Sequence, residues 1–449
     1  MTYFLGIGGA VVGSIVFFYI FSWIIKDPVR GLYLAFFSTG ILETVHLGPL
    51  RDKVGLTELA IILTWFALIL NKSWKKDRAP LTKLQKFAFF MLSAFVLIQW
   101  LSFLVNNATF YDHIVGSLVE VLNYTYGAMI VLTTVLLVNS WKKLMGCVSG
   151  WLLGTVVVTL IGIWALTGTG PAWATDEFTG RISSTLKFEN QIPAFIIPIF
   201  VTAIIMSLSR STSNLLRKGL IILVMLMSVT MIGTGSRTAF LLLIFAFVSL
   251  FILGFIEKSN KDLLKGRLGL VMILSSLGLV GYVIAALSAF DGNYSLGHTP
   301  SWQRPVVVIY NTITSEQGTL DNTRTKQADV ILNNADESMF IGNGPKLYGA
   351  KYHVSEIHNT YAGIYTESGF LGVISFISFL GVSLYTALYV RKREAIPYYK
   401  LIITSLSFGF ILLLLYGMTM YGLRQRNIWL LSGLLIASHS FLLRRNESI

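Results

Sequence analysis

The stretch FAFFMLSAFVLIQWLSFLV, from Phe87 to Val105, contains no charged side chain. An α-helix needs about 20 predominantly apolar residues to cross the hydrocarbon core of a bilayer. In lipid every backbone polar group must be satisfied internally, and a helix of this length does so within itself. The stretch is therefore predicted to be a membrane-spanning helix.

Comparable runs recur along nearly all of the 449 residues, of which 54% are hydrophobic and 13% charged. Soluble domains average about 25% charged residues. The sequence predicts an all-α polytopic membrane bundle of about 12–13 spans, with residues 1–449 forming a single membrane domain. The predicted spans are 3–25, 31–50, 56–71, 87–105, 115–138, 144–167, 191–209, 219–234, 238–256, 268–289, 362–390, 401–421 and 428–443.

The basic residues predict the orientation of these spans. Seven short segments contain 23 of the 35 Lys and Arg residues but 6 of the 22 acidic residues, namely 26–30, 72–86, 141–143, 210–218, 257–267, 391–400 and 444–449. Short loops rich in Lys and Arg stay cytoplasmic, so the N-terminus is predicted outside and the C-terminus in the cytoplasm. The net charge of +13 is thus a topology signal, and no nucleic-acid partner is expected.

One connection differs from the others because it is long and polar. Residues 290–361 lie on the outer side in this topology and are too many for a simple connector. Within them, Asp321–Asn334 is predicted to be a helix with Asp321 as a cap, and the turn formers of Ile341–Pro345 follow it. Long loops over a scaffold often carry function, so the chemistry is expected on this outer side.

His358 closes the long loop just before a predicted span, in the stretch Glu356-Ile-His-Asn-Thr-Tyr361. A histidine can exchange protons near neutral pH, which makes His358 a candidate acid–base residue. The alternative is that His358 only binds a loop carbonyl. The other five histidines occur singly, and none is paired at a metal-ligand spacing, so no metal site is predicted.

Arg237 lies in Gly233-Thr-Gly-Ser-Arg-Thr238, between two apolar runs that are close enough to form a tight helical hairpin. A guanidinium at the mouth of a membrane bundle is costly without an anionic partner, and its planar fork matches phosphate. The alternative is an arginine that extends to lipid headgroups. Because Gly233 and Gly235 permit close backbone approach, the motif favours an anion site.

Other charged residues on the outer side have less support. Arg324 on the predicted loop helix and Arg181 are candidates that, taken alone, fit a solvated side chain or a local ion pair. The same expectation applies to Arg304, Arg424 and Arg426. Glu367 follows His358 by nine residues, which on one continuous helix would place the two side chains on opposite faces.

Several kinds of chemistry have no signature in the sequence. It contains no P-loop, dinucleotide glycine fingerprint or serine nucleophile elbow. No cofactor is therefore expected, and the energy for a reaction must come from the substrate or from a gradient. The single cysteine, Cys147, lies inside an apolar run, so no disulfide is predicted.

Residues 180–375 resemble the O-antigen ligase and polymerase superfamily of bacterial membrane glycosyltransferases. The ligase pattern is His, then Asn, Ser or Gln, nine residues, Gly, two residues, and Gly, Thr or Tyr. His358, Asn359, Gly369 and Gly372 meet it at every position.

Three further motifs extend the resemblance. Thr234–Arg237 is similar to the family's arginine at a short outer turn, and Arg324 followed by Phe340–Pro345 is similar to its arginine and Gly-x-Gly segment. Arg181–Asn190 is similar to an Arg-x-x-Gly-x-Phe-x-Asn-x-Asn element, in which the usual glycine is Ser184 or is absent.

The resemblance implies a GT-C-like, inverting, metal-independent glycosyltransferase in a bacterial inner membrane, with its active site facing the periplasm. It implies a donor glycan on undecaprenyl diphosphate and an acceptor glycan, either lipid A–core or a growing polysaccharide. It also implies His358 as the general base and three diphosphate-binding residues, Arg237, Arg324 and Arg181. The implied supporting residues are Asn359, Gly342, Gly344 and Gly369.

Three functions remain open from the sequence. Transfer of a whole lipid-linked polysaccharide, as by an O-antigen ligase, comes first, and a polymerase that joins repeat units by the same chemistry comes second. An Arg-x15-Gly element of polymerases is missing, because the residue at that spacing is Phe340 after Arg324 and Ile197 after Arg181. A transporter of an anionic solute is the third possibility, but its site would lie at mid-membrane rather than on one face.

Overall fold

The computed structural model describes residues 2–41, 55–71, 81–106, 111–176, 179–256, 267–290, 299–314, 322–355 and 357–441. Within those ranges the regular structure is helical, apart from a single antiparallel bridge between Thr175 and Ile182. The prediction of an all-α fold is confirmed.

The helices, numbered here in chain order, are α1 Thr2–Lys26, α2 Val29–Ser38, α3 Leu56–Asn71, α4 Lys83–Asn106, α5 Ile114–Leu137, α6 Trp141–Leu166, α7 Gln191–Leu208, α8 Asn214–Gly233, α9 Arg237–Ile256, α10 Arg267–Ser288, α11 Arg304–Thr314, α12 Asn322–Asn333, α13 Tyr348–Tyr352, α14 Thr360–Arg393, α15 Pro397–Tyr416 and α16 Arg426–Ala437. Short 3₁₀ turns cover Tyr111–His113, Ala172–Ala174 and Asp336–Ser338. The predicted loop helix is α12, while its predicted cap Asp321 lies outside the described residues.

Seven described helices are long and apolar enough to cross a membrane, namely α4, α5, α6, α7, α8, α14 and α15. Shorter apolar segments occur in α1, α2, α3, α9 and α10. The chain is therefore a multi-pass membrane protein. The predicted span 31–50 has only the ten residues of α2 as described helix, and 42–54 lie outside the described residues, so the count of 12–13 spans stays a prediction.

Helix α14 packs against α4, α15 and α16, and α16 packs against α5. Aromatic rings fill this contact region, where the Phe95 ring centroid lies 5.0 Å from that of Phe376 and 6.5 Å from that of Trp429. The Trp429 ring also lies directly against Gly127, where any side chain would overlap it. Close packing of this kind is what holds helices together in lipid, where burial from water contributes little.

Polar contacts show which helix ends lie together. The Tyr416 hydroxyl, at the end of α15, donates to the carbonyl oxygen of Asn190, just before α7, over 2.6 Å. Arg424, just before α16, pairs with Glu120 in the first turns of α5 at 2.8 Å. Because the helices alternate in direction, the starts of α9 and α14 lie at this same end. We call it the outer end, following the predicted topology.

Candidate functional site

His358 lies at the outer end, two residues before α14 begins. The Asn359 side chain caps α14 by accepting hydrogen bonds from the backbone N–H groups of Tyr361 at 2.9 Å and Ala362 at 3.0 Å. The His358 backbone N–H donates to Gln327 Oε1 at 3.5 Å, while its side chain is exposed. The imidazole therefore projects from a fixed backbone toward the outside.

The first residue of α14 is held by a loop far along the chain. The Thr360 N–H donates to the Gly417 carbonyl at 2.7 Å, and its hydroxyl donates to the Met420 carbonyl at 2.7 Å. The same hydroxyl oxygen accepts from the Gly422 N–H at 2.9 Å. Three contacts with residues 417–422 thus fix the chain two residues after His358.

The Gly-x-Gly segment of the outer loop is bound to α14. The Asn343 N–H donates to the Thr366 carbonyl at 2.8 Å, and the Gly344 N–H donates to the Glu367 carbonyl at 3.1 Å. This stretch of the loop is therefore hydrogen-bonded to carbonyls near the start of α14. Such carbonyls become available because the helix is interrupted at Gly369, whose φ of 65° and ψ of −165° are not helical.

Two glycines make this backbone contact possible. A Cβ at Gly342 would overlap the backbone of Glu367 and Ser368, and a Cβ at Gly369 would overlap the carbonyl of Phe340. Gly342 and Gly344 also have positive φ values of 76° and 94°. Gly342, Gly344 and Gly369, which the sequence singled out as supporting residues, thus join the outer loop to α14.

A buried carboxylate lies behind this contact. Glu367 Oε2 accepts hydrogen bonds from the hydroxyls of Tyr124 at 2.5 Å and Tyr421 at 2.7 Å, and Oε1 accepts from the Lys346 N–H at 3.0 Å. The opposite-face argument for His358 and Glu367 was wrong in its premise, because α14 starts only at Thr360. His358 precedes the helix and is not fixed by its periodicity.

Arg237 begins α9 after the tight turn Thr234–Ser236, so the predicted helical hairpin is confirmed. Gly235 in this turn has a φ of 63°. The Arg237 side chain is exposed and makes no hydrogen bond or ion pair with the residues that the structure describes. The first turn of a helix also carries partial positive charge, so this position favours an anion.

Arg181 supports that turn. Its Nε donates to the Thr234 carbonyl at 2.6 Å, its Nη1 pairs with Glu189 at 2.6 Å, and its Nη2 donates to Asn190 Oδ1 at 3.2 Å. Ser184, at the glycine position of the family element, has a positive φ of 54°. That conformation explains why glycine suits the position.

Arg304 completes the group around the turn. It is 3% exposed, and it donates to the carbonyls of Thr299 at 2.9 Å and Thr179 at 2.5 Å. A Cβ at Gly235 would lie 3.4 Å from both Arg181 Nε and Arg304 Cδ. The sequence did not predict that Arg304 is buried, because its burial depends on the turn Thr234–Ser236, which is remote in the sequence.

Other predicted cations have local partners. Arg424 pairs with Glu120, as described above, and Arg426 pairs with Glu58 at 2.6 Å. Both agree with the expected local ion pairs.

Arg324 lies in the first turn of α12, and its side chain is outside the described side chains. Gln327, three residues later, donates from Nε2 to Ser355 Oγ at 2.8 Å as well as accepting from His358. Helix α12 is therefore tied to the His358 turn. Gln327 was missed in the sequence, although its position one turn after Arg324 on a helix was available as a signal.

The site thus contains an exposed imidazole and an exposed guanidinium at one end of the bundle, each on a fixed backbone. In the described parts of the chain, no three His, Cys, Asp or Glu side chains form a group that could hold a metal ion. An imidazole can exchange protons near neutral pH, and a guanidinium can bind an anion.

The comparisons with known proteins cover the segment in which these residues lie. The family model described as O-antigen ligase matches residues 222–377. That segment includes Arg237, Arg324, the Gly-x-Gly loop and His358. The search of curated proteins finds no match. Over that segment, which is 156 of the 449 residues, the chain is similar to the O-antigen ligase family.

Proposed function

We propose that the chain transfers a glycan from undecaprenyl diphosphate to a hydroxyl of an acceptor glycan at the outer surface of the bacterial inner membrane. The observation that carries this proposal is the location of His358 and Arg237. Both side chains are exposed at one end of the bundle, on backbones fixed by neighbouring segments, and both fall in the O-antigen ligase segment.

His358 is the general base. The acceptor hydroxyl loses its proton to the imidazole as the hydroxyl oxygen attacks the anomeric carbon of the donor sugar. The bond between that carbon and the diphosphate oxygen then breaks. Removing a general base slows such a step by about 10²–10⁴-fold.

The arginines act on the leaving group. Arg237 binds the diphosphate, and Arg324 is the second residue that we assign to diphosphate binding. Both neutralise the charge that develops as the glycosidic bond breaks, a role that a metal ion has in other enzymes. Arg181 adds positive charge behind the turn, although its pairing with Glu189 makes positioning of Arg237 its main contribution.

Direct displacement by the acceptor inverts the anomeric centre. Retention requires a second carboxylate about 5–5.5 Å from the first to form a covalent intermediate. Two buried carboxylates of this region are engaged by protein groups and not presented to a substrate: Glu367 accepts from two tyrosine hydroxyls and a backbone N–H, and Glu120 is paired with Arg424.

Ligation of a whole polysaccharide onto lipid A–core is the leading reaction, and polymerisation of repeat units is the alternative by the same chemistry. Transport of an anionic solute has less support. The exposed Arg237 lies at the outer end of the bundle, whereas transporters bind their solutes near mid-membrane.

The test is glycan transfer by purified protein in EDTA, with undecaprenyl-diphosphate oligosaccharide as donor. His358→Ala should lose at least about a hundredfold in kcat, and Arg237→Ala should lose kcat/KM, while the wild type remains active. His113→Ala is the matched control, because His113 is another exposed histidine directly before a helix at the outer end. Undiminished transfer by His358→Ala would show that His358 is not the general base.

The length of the product separates the two transferase reactions. A single added chain indicates ligation, and a ladder of repeats indicates polymerisation. Absence of product with any acceptor, together with uptake of an anionic solute into vesicles, would replace the enzyme with a transporter.

A further inference from the structure

We propose that Glu367 is a positioning residue for His358 and that it acts through Tyr421; this rests on the function proposed above. Glu367 is 5% exposed and does not reach the outer surface. It lies instead where α14, α5, the Gly-x-Gly loop and the 417–422 loop meet. Its carboxylate accepts one hydrogen bond from each of the last three elements.

Tyr421 is held in one orientation by contacts on several sides. Its ring lies against Gly363, where a Cβ would overlap ring carbons, and its hydroxyl donates to Glu367. The Arg424 guanidinium lies over the ring, 5.3 Å from its centroid, and makes a cation–π contact with it. The same guanidinium is paired with Glu120. The hydroxyl bond to Glu367 is the polar contact that fixes how deep the ring lies.

The residues on either side of Tyr421 hold the first turn of α14. The Met420 carbonyl accepts from the Thr360 hydroxyl, and the Gly422 N–H donates to the same hydroxyl oxygen. A shift of Tyr421 therefore moves both partners of Thr360. Since His358 is only two residues before Thr360, the shift changes where the imidazole lies.

Tyr124 provides a matched comparison within the same cluster. Its hydroxyl donates to the same Glu367 oxygen and also contacts the Tyr421 hydroxyl. However, Tyr124 belongs to the body of α5, where its ring centroid lies 5.7 Å from that of Phe95, and among the described residues no hydrogen bond joins a chain neighbour of Tyr124 to Thr360. Loss of the Tyr124 hydroxyl removes one contact to Glu367 and one to Tyr421, but it leaves the hydrogen bond from Tyr421 to Glu367, which holds the 417–422 loop.

The first experiment measures the mobility of residue 358 directly. Cys147 is the single cysteine and is fully buried, so a spin label on His358→Cys reports that position alone. Glu367→Gln and Tyr421→Phe should each increase the mobile component of the spectrum, and Tyr124→Phe should leave it unchanged. An unchanged spectrum in Tyr421→Phe, or equal changes in both tyrosine variants, would overturn the proposal.

The second experiment measures transfer in the His358 protein. Tyr421→Phe should lower kcat about tenfold with little change in KM for the donor, because alignment and not binding is lost. Tyr124→Phe should remain within about twofold of the wild type. In a His358→Ala background, Tyr421→Phe should cause no further loss, since there is no base left to position; additive losses would indicate a general structural defect and contradict the proposal.

The two readouts also separate this inference from the proposed function. If the wild type transfers no glycan, the proposed function fails, and the spin-label spectra still decide whether Tyr421 controls the position of residue 358. If transfer occurs but the spectra do not respond to Tyr421→Phe, the proposed transferase function is retained and the positioning role of Glu367 is rejected.

Discussion

Arg181 and Thr234 are 53 residues apart in the chain, and a 2.6 Å hydrogen bond joins the Nε atom of the first to the carbonyl oxygen of the second. The other two nitrogens of the same guanidinium bind Glu189 and Asn190. One side chain thus ties the loop before α7 to the turn that starts α9. Arg237 therefore projects from a point that Arg181 sets.

Arg181→Lys should lower kcat/KM for glycan transfer by about ten- to a hundredfold, since hydrogen bonds to charged groups contribute about 1.5–3 kcal/mol. Lysine keeps the positive charge but cannot bind Thr234, Glu189 and Asn190 together, so it should not restore the wild-type kcat/KM. Steady-state kinetics with the lipid-linked donor checks this. Arg217→Lys is the control, because Arg217 also binds two carbonyls, those of Ser209 and Thr212, but not at the outer end. Equal losses in both variants would contradict a role at the site.

Gly369→Ala should destabilise the protein by at least about 1–3 kcal/mol, because its backbone conformation is strained for any residue with a side chain. The added methyl would also displace the Phe340 carbonyl. Gly381→Ala, in the same helix, meets no atom within 4 Å and should be neutral or slightly stabilising. Thermal unfolding of both variants in detergent measures the difference. Similar midpoints would show that the loop contact at Gly369 adjusts without cost.

Met339 and Phe340 are predicted to touch lipid. They are 50% and 62% exposed, and the Phe370 N–H donates to the Met339 carbonyl at 2.9 Å. Phe370 and Leu371, 55% and 46% exposed, lie on the spanning helix α14, so the loop continues a lipid-facing surface. A spin label on Phe340→Cys in proteoliposomes should be relaxed by oxygen more than by a water-soluble nickel chelate. The exposed Lys326→Cys on α12 is expected to show the reverse, and nickel-dominated relaxation at both sites would place the loop in water.

The link between Glu337 and Lys351 should weaken in acid. Hydrogen bonds from the side chains of Lys351 and Tyr352 lower the pKa of Glu337. Because the pKa of Glu337 is lower in the folded than in the unfolded chain, its ionised carboxylate stabilises the fold. This stabilisation is complete above the usual carboxyl range and is lost as the pH falls through the lowered pKa. Midpoints of thermal unfolding should therefore fall less between pH 7 and pH 4 in Glu337→Gln than in the wild type. Parallel falls would show that this carboxylate does not contribute.

The membrane fold could be predicted because each span carries its own signal. Apolar length and short basic loops are local features, and the described helices from α4 to α9 begin and end within a few residues of the predicted spans. Helix α2 departs from its prediction, since apolar composition continues past Ser38 while the described helix does not.

The site was only partly predictable, for a physical reason. His358 and Arg237 lie in short motifs with distinctive turn chemistry, so both could be singled out. Tyr421 and Glu367 are 54 residues apart; Tyr421 lies outside the motifs, and Glu367 is at an unspecified position of the His358–Gly372 pattern. A buried hydrogen bond between such residues depends on how α14 and the 417–422 loop pack, which no local pattern records.

Thr360 and Gly422 are 62 residues apart, so their hydrogen bond can form only late in the synthesis of the chain. At ribosomal speeds of about 5–20 residues per second, the partner of Thr360 emerges roughly 3–12 seconds after it. Until residues 417–422 have been inserted, the segment that carries His358 lacks the hydrogen bonds that hold Thr360. In the proposed function, a half-inserted nascent chain would therefore lack a fixed His358, and glycan transfer would begin only after the last helices have been inserted.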